Sequence, residues 1–162
     1  MRILSKRRRH ENRTNYTKRR RLLEGRKARI VARKTNRYII LQYIESKAAQ
    51  DTIRASVTSK ELLEHGWSKE SEGSLKSLGA AYLSGLLLAK KIKGFAPAIL
   101  DTGLIRSTKG SRIYAAAKGI NDGGFVLPCS KEVFPEEKRL ENENTKAFFN
   151  KVKENIMKGA KK

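Results

Sequence analysis

Positive charge is gathered at one end of this chain. Between Met1 and Arg37 stand sixteen Lys or Arg residues against two carboxylates, Glu11 and Glu24, so this stretch carries +14 of the formal net charge of +21. The clusters Arg7-Arg8-Arg9 and Lys18-Arg19-Arg20-Arg21 repel themselves too strongly to be stable in free solution without a partner, although a short helix can run through Thr17 to Glu24. The arm is therefore expected to order on binding. A charge so far above what keeps a small domain soluble implies a polyanion in the normal state. Nucleic acid is the first candidate and an anionic membrane surface the second. No apolar run approaches ~18 residues and no leader resembles a signal peptide, so the expectation is a soluble cytoplasmic protein with no membrane partner. The competing reading of the arm is a nuclear-localisation or merely solubilising tail. Against it stand the interleaved Asn12, Thr14, Asn15, Tyr16 and Thr17, which offer hydrogen bonds to phosphate and sugar and one ring that can stack on a base.

The remaining composition narrows the chemistry. A length of 162 residues with 38% hydrophobic content suits one modest core with tails. Cys129 is alone, which excludes an internal disulfide, and with only His10 and His65 besides it no four-ligand zinc set can be assembled; no cofactor is expected. Asn12-Arg13-Thr14 and Asn15-Tyr16-Thr17 match the glycosylation pattern, a match expected to be chance because no secretory leader is expected.

From Ala28 the pattern turns to alternation with β-branched residues. Three strands follow, Ala28 to Lys34, Tyr38 to Ser46 and Asp51 to Thr58, as an antiparallel meander joined by two hairpins. In the third, Ile53, Ala55 and Val57 share one face. The link Thr35-Asn36 between Arg33-Lys34 and Arg37 concentrates charge at a hairpin tip, either an ordinary exposed turn or a probe for a nucleic-acid groove. A short helical stretch, Lys60 to His65, precedes a Ser-, Glu- and Gly-rich loop. The helix Leu78 to Lys93 has a small-residue stripe, Ala81, Gly85 and Ala89, that would let its backbone lie close on a sheet. Next come a strand Ala98 to Asp101, a helix Ser111 to Asp122 with Ile113, Ala116, Ala117 and Ile120 inward, and a strand Phe125 to Pro128. These read as a parallel βαβ unit with right-handed crossover. A last helix from about Lys138 to Met157 carries the ridge Phe148, Phe149, Val152 and Ile156. The division is then a basic arm (1–27), an α/β core (28–135) and a C-terminal helix and tail (136–162).

Two motifs need a chemical test. The loop Gly103 to Ser111 resembles a P-loop, but its order is Lys-Gly-Ser and not Gly-Lys-Ser, so no lysine is placed for terminal phosphates. A glycine at a helix start with Arg106, Lys109 and Arg112 around it still suits a backbone phosphate; capping by Ser111 is the simpler alternative. Asp101 invites comparison with metal-dependent nucleases, because three antiparallel strands followed by βαβ is the ribonuclease-H-like layout. The first strands offer only Glu45 and Asp51 at their ends, so a structural Asp bonding backbone N–H groups of its own loop is the better reading.

The run Tyr16 to Gly25, the segment Arg33 to Ile40, Lys60-Glu-Leu with His-Gly-Trp67, the helix Ala80 to Leu88, the long segment Ile99 to Gly119 and Glu132 to Glu137 together resemble the archaeal large-subunit ribosomal protein family called L eighteen, whose eukaryotic relatives are called L five. The resemblance implies a ribonuclease-H-like α/β core without nuclease activity, bound to 5S rRNA in the central protuberance beside large-subunit rRNA and neighbouring ribosomal proteins. It also implies rRNA contacts for Arg7, Arg8, Arg9, Arg13, Tyr16, Arg19, Arg20 and Arg21 in the arm. Arg33, Lys34, Asn36, Arg37 and Tyr38 would contribute from the hairpin, and Arg106, Lys109, Ser111 and Arg112 from the loop. The residues alone select the same three patches.

Overall fold

The computed structural model describes residues 6–47, 50–141 and 146–159. Four strands form one mixed sheet in the order β3-β2-β1-β4: β1 (Ala28–Lys34), β2 (Ile39–Lys47) and β3 (Gln50–Thr58) run antiparallel, and β4 (Ala98–Asp101) lies parallel to β1. The tip between β1 and β2 is longer than the two-residue link expected. It spans Thr35 to Tyr38 and is closed by Thr35 N–H donating to Tyr38 O at 2.8 Å.

Alternation gives the sheet two faces. Ile30, Ala32, Leu41, Tyr43 and Val57 join the main core, while Arg29 and Val31 point the other way. A bulge interrupts the alternation in β3: Tyr43 pairs with Ala55 but Ile44 pairs with Ile53, leaving Arg54 as the extra residue. Ile53 therefore leaves the face it was expected to share with Ala55 and Val57 and is 53% exposed.

Against the main face lies α3 (Leu78–Lys91), capped by the Ser77 hydroxyl accepting from Ala80 N–H at 3.2 Å. Eleven of its fourteen residues are buried, so it is enclosed on all sides. Its small-residue stripe meets a helix and not the sheet. A Cβ on Gly85 would stand 2.2 Å from Ala116 O, and one on Gly119 2.1 Å from Tyr82 O, so α3 and α4 (Arg112–Asp122) touch backbone to backbone. Ile113, Ala116, Ala117 and Ile120 of α4 are buried as expected.

Residues 125–128 form no strand, so the expected βαβ unit lacks its second strand and the sheet ends at β4. The sequence alternation is nevertheless real: Phe125 and Leu127 are buried and Val126 is 79% exposed. The ladder fails because its donors are already taken. Phe125 N–H goes to Ile120 O at 3.2 Å and Leu127 N–H to Asn121 Oδ1 at 2.7 Å.

The segments around α3 complete the core. The expected helix Lys60 to His65 is a 3-10 helix, Ser59–His65, and the loop after it holds a second, Lys69–Ser74. The long final helix is interrupted. α5 (Glu137–Leu140) stops at Glu141, whose φ/ψ of −92°/88° is not helical, and α6 (Lys146–Lys158) follows. Residues 142–145, on which part of the expected helix falls, lie outside the described residues. The Leu140 carbonyl and the Phe149 ring both close on Gly79, where a Cβ would meet them at 2.7 and 3.2 Å. Phe149, Val152 and Ile156 form the expected ridge and belong to the core, and Phe148 stacks edge-on against Trp67 at 4.8 Å. Lys90 Nζ donates to the carbonyls of Ile156 and Met157, tying α3 to the end of α6.

Candidate nucleic-acid interface

The described part of the arm contains two short helices, α1 (Arg7–His10) and α2 (Tyr16–Glu24). Asn15 caps α2, its Oδ1 accepting from Lys18 N–H at 3.0 Å, so the expected helical stretch begins one residue earlier than Thr17. α2 is fastened to the second face of the sheet at two points. Arg19 Nη2 donates to Asp51 Oδ2 at 2.7 Å, and Lys18 Nζ donates to Thr102 Oγ1 and Gly103 O, both at 3.0 Å.

Under these contacts lies a charged network. Arg29, 1% exposed, donates through Nη2 to Asp51 Oδ1 (2.8 Å) and Ser46 Oγ (3.0 Å), and through Nη1 to Asp101 Oδ2 (3.3 Å). Its Nε has no partner among the described residues. Arg33 reaches the same carboxylate at 3.4 Å and donates to Asp101 O at 2.9 Å. Asp101 Oδ1 accepts Gly103 N–H at 2.8 Å, the loop-holding role expected of it. Burial pushes the Asp51 carboxyl up, but hydrogen bonds from Ser46, Arg19 and Arg29 outweigh that and hold it below its ordinary range. A divalent metal would need Asp101 as a free ligand within a carboxylate cluster, whereas two guanidinium groups already neutralise it. Among the described residues no group of three His, Cys, Asp or Glu is placed to hold a metal.

The three basic patches meet. A concavity of about 290 Å³ between arm and sheet is lined by Arg8, Arg13, Lys18 and Arg19 from the arm, Arg33 and Lys34 from the hairpin, and Gly103 to Ile105 from the loop. A second, also about 290 Å³, is lined by Lys34, Ile105, Gly110, Ser111, Arg112 and Arg139. Lys34 and Ile105 belong to both, so the arm, the hairpin base and the start of α4 form one continuous surface. The Ser111 side chain makes no capping hydrogen bond, which leaves the first amides of α4 without that partner.

Other expected site residues lie apart or are engaged. Arg7 and Arg13 both pair with Glu11, at 3.6 and 3.1 Å, and Arg20 pairs with Glu24 at 2.7 Å. Arg9 lines a neighbouring hollow with Tyr16, whose ring has Lys6 Nζ 4.6 Å from its centroid. Asn36 and Arg37 are exposed at the hairpin tip, and Arg21 is exposed on α2. Tyr38 OH donates to Glu72 Oε1 at 3.0 Å, a bond that raises its pKa, so its hydroxyl is occupied within the protein. Lys109 pairs loosely with Glu132 at 3.8 Å, and Arg106 is exposed.

Sequence reasoning missed Lys18, Arg29 and Arg139 as parts of this surface or its support. Arg29 was legible in part, since strand alternation puts it beside Arg33 on the second face; Arg139 lies 29 residues from Gly110 and only folding brings them together.

Among the described residues no helix is long and apolar enough to cross a membrane. Residues 3–96 match the model of the family described as ribosomal large subunit proteins 60S L5 and 50S L18. The chain is 47% identical over 150 residues to the large ribosomal subunit protein uL18 of Korarchaeum cryptofilum, covering 91% of this chain and 75% of that protein. It is 44% identical over 140 residues to the uL18 protein of Methanospirillum hungatei (85% and 78% covered). With that of Methanococcoides burtonii it shares 39% identity over 162 residues (93% and 91% covered). With nearly half of its residues shared along most of its length, this chain belongs to the family of large-subunit ribosomal proteins that comprises 60S L5 and 50S L18, in its archaeal, uL18 form.

Proposed function

We propose that this chain binds 5S rRNA and helps attach it in the central protuberance of the large ribosomal subunit, touching large-subunit rRNA and neighbouring ribosomal proteins as well. Membership of the family makes it a structural ribosomal protein and not an enzyme. The observation that carries the RNA reading is the continuous cationic surface joined through Lys34 and Ile105. Lys and Arg there position on phosphates, which is sequence-blind, while unpaired bases supply selectivity through stacking and edge contacts. The sheet order β3-β2-β1-β4, with the meander first and the parallel strand beside β1, supports the ribonuclease-H-like reading of the core. The pairing of Asp101 with Arg29 and Arg33 argues against a metal-dependent nuclease on that core.

The test is to purify the protein from its own cells, wash at moderate salt and sequence the RNA that remains. Enrichment of 5S rRNA over tRNA of similar length supports the proposal. Equal recovery of both would remove the 5S rRNA assignment and leave a large-subunit ribosomal protein whose RNA contacts are unselective.

A further inference from the structure

The concavity between arm and sheet differs from a plain phosphate-binding patch in two ways. The first is its balance of charge. Of its six cations, Arg13 is paired with Glu11, Arg19 with Asp51 and Arg33 with Asp101. Among the described residues, Arg8, Lys18 and Lys34 have no carboxylate partner: Arg8 Nε donates to Thr14 Oγ1 at 2.9 Å, and Lys18 Nζ touches only neutral oxygens. Three positive charges thus face one hollow.

The second difference is an apolar wall. Leu22, Leu104 and Ile105 line the same space, and Leu104 is 54% exposed although it is flanked by a tightly held loop. That loop is fixed by Asp101 on Gly103 N–H and by Lys18 on Gly103 O. Gly103 itself has φ of +61°, and a Cβ there would come within 2.9 Å of Arg33 Cζ, so the guanidinium lies directly against the loop backbone. An exposed leucine on a rigid support, ringed by unpaired cations, is poor design for a surface meeting only sugar and phosphate. It suits a ligand with one charged end and one flat apolar body. A volume of about 290 Å³ also stands at the lower end of small-molecule sites, roughly 300 Å³.

We propose that this concavity receives a single unstacked nucleotide of the bound RNA. Its phosphate lies among Arg8, Lys18 and Lys34, and its base lies on Leu104 and Ile105. Two polar groups can still act on the base edge. Asn15 Oδ1 and Thr14 Oγ1 are occupied as acceptors, by Lys18 N–H and Arg8 Nε, which leaves the Asn15 NH₂ and the Thr14 hydroxyl hydrogen as donors. A carbonyl oxygen on the edge of uracil or guanine can accept both donors, whereas a ring nitrogen of adenine accepts one, and its N1 and N7 stand beside adenine's own N6 donor. Beyond Leu104 the hollow with Arg9 and Tyr16 offers room for the adjoining nucleotide.

This inference rests on the RNA-binding proposal above, and its test separates the two. Binding of the full chain to 5S rRNA is measured across a salt series for wild type, Leu104→Ser and Leu104→Met. Leu104 is half exposed, so neither change threatens the fold, which unfolding followed at the single Trp67 verifies. Leu104→Ser is expected to weaken binding about tenfold, or about 1.4 kcal/mol, with an unchanged salt slope, and Leu104→Met to restore it. Short oligouridylate is expected to bind several-fold tighter than oligoadenylate to wild type. Undiminished binding by Leu104→Ser, a loss that Met also shows, or a loss accompanied by a shallower slope would overturn the nucleotide subsite. Equal binding of the two oligonucleotides would overturn its base preference. Failure of wild type to bind 5S rRNA at all would instead overturn the function proposed above, and the subsite with it.

Discussion

Arg29 and Asp101 face each other from neighbouring parallel strands, Nη1 to Oδ2 at 3.3 Å, with both side chains almost wholly removed from water. The pair stands directly beneath the surface that the arm covers. Arg33 on the same carboxylate and Asp51 on the same guanidinium extend it into a chain of alternating charge that reaches Arg19 on α2.

Asp101→Ala leaves Arg33 without its carboxylate and Arg29 held by Asp51 and Ser46 alone. It is expected to lower unfolding free energy by about 1–3 kcal/mol, read from urea unfolding at Trp67. Stability within error of wild type would mean that the network is more hydrated than its burial indicates.

The arm's attachment has a pH dependence. Asp51 has a folded-state pKa held below its ordinary value, so its contribution is fully present above the unfolded carboxylate range and is lost as pH falls through the folded value. Urea midpoints of wild type and Asp51→Asn should differ at pH 6, begin to draw together below about pH 4, near the ordinary carboxylate pKa, and meet once the pH has passed the folded value. A constant difference down to pH 3 would show that the carboxylate charge is irrelevant to docking.

Two glycines test the backbone contact between helices. Gly85→Ala forces a methyl to within 2.2 Å of a carbonyl oxygen that belongs to the facing helix, and overpacking of this kind costs about 1–3 kcal/mol or more. Gly73→Ala meets nothing within 4 Å and should change stability by less than about 1 kcal/mol, in either direction. Comparable losses at both sites would refute the close α3–α4 contact.

The strength of the electrostatic term distinguishes an RNA interface from a solubilising tail. If about half of the sixteen basic residues between Met1 and Arg37 meet phosphates, the log–log salt slope of 5S rRNA binding should be roughly −6 to −7. Deleting the arm would also remove the Arg19–Asp51 and Lys18–Gly103 contacts, so the cleaner variant is Arg7, Arg8 and Arg9 to Gln, on exposed α1. Loss of about two to three units of slope is expected. A full-length slope shallower than about −2 would return the arm to the tail reading.

Tyr16→Ala should weaken 5S rRNA binding more than binding of a length-matched control RNA, because stacking needs an available base and phosphate contact does not. Lys6 already sits over one face of this ring, so a single face remains for a base. Equal loss on both RNAs would remove Tyr16 from the selective contacts.

Periodicity made the meander, the buried α3 and the α6 ridge legible, because each rests on a repeat of two or 3.6 that burial enforces. It misplaced Ile53 because the Arg54 bulge shifts the pleat, and no residue type announces that insertion. It supplied a strand at 125–128 because alternation records burial and not hydrogen bonding; an Asn121 side chain took the donor. The stripe of α3 was seen but given to the wrong partner, since small residues state that a backbone comes near without stating which one. The charge clusters gave the three patches, but their fusion through Lys34 depends on Gly103, Gly110 and Arg139, which only the folded chain brings together.

The enclosure of α3 imposes an order on synthesis. Its last buried residues, Leu88 and Ala89, are made about seventy residues before Ile156, which sits in the same core and whose carbonyl accepts from Lys90. At roughly 5–20 residues per second, a finished helix waits several seconds with part of its apolar surface uncovered while a strongly cationic arm is already outside. The nascent chain thus presents an uncovered apolar helix and a cationic tail together until α6 is complete.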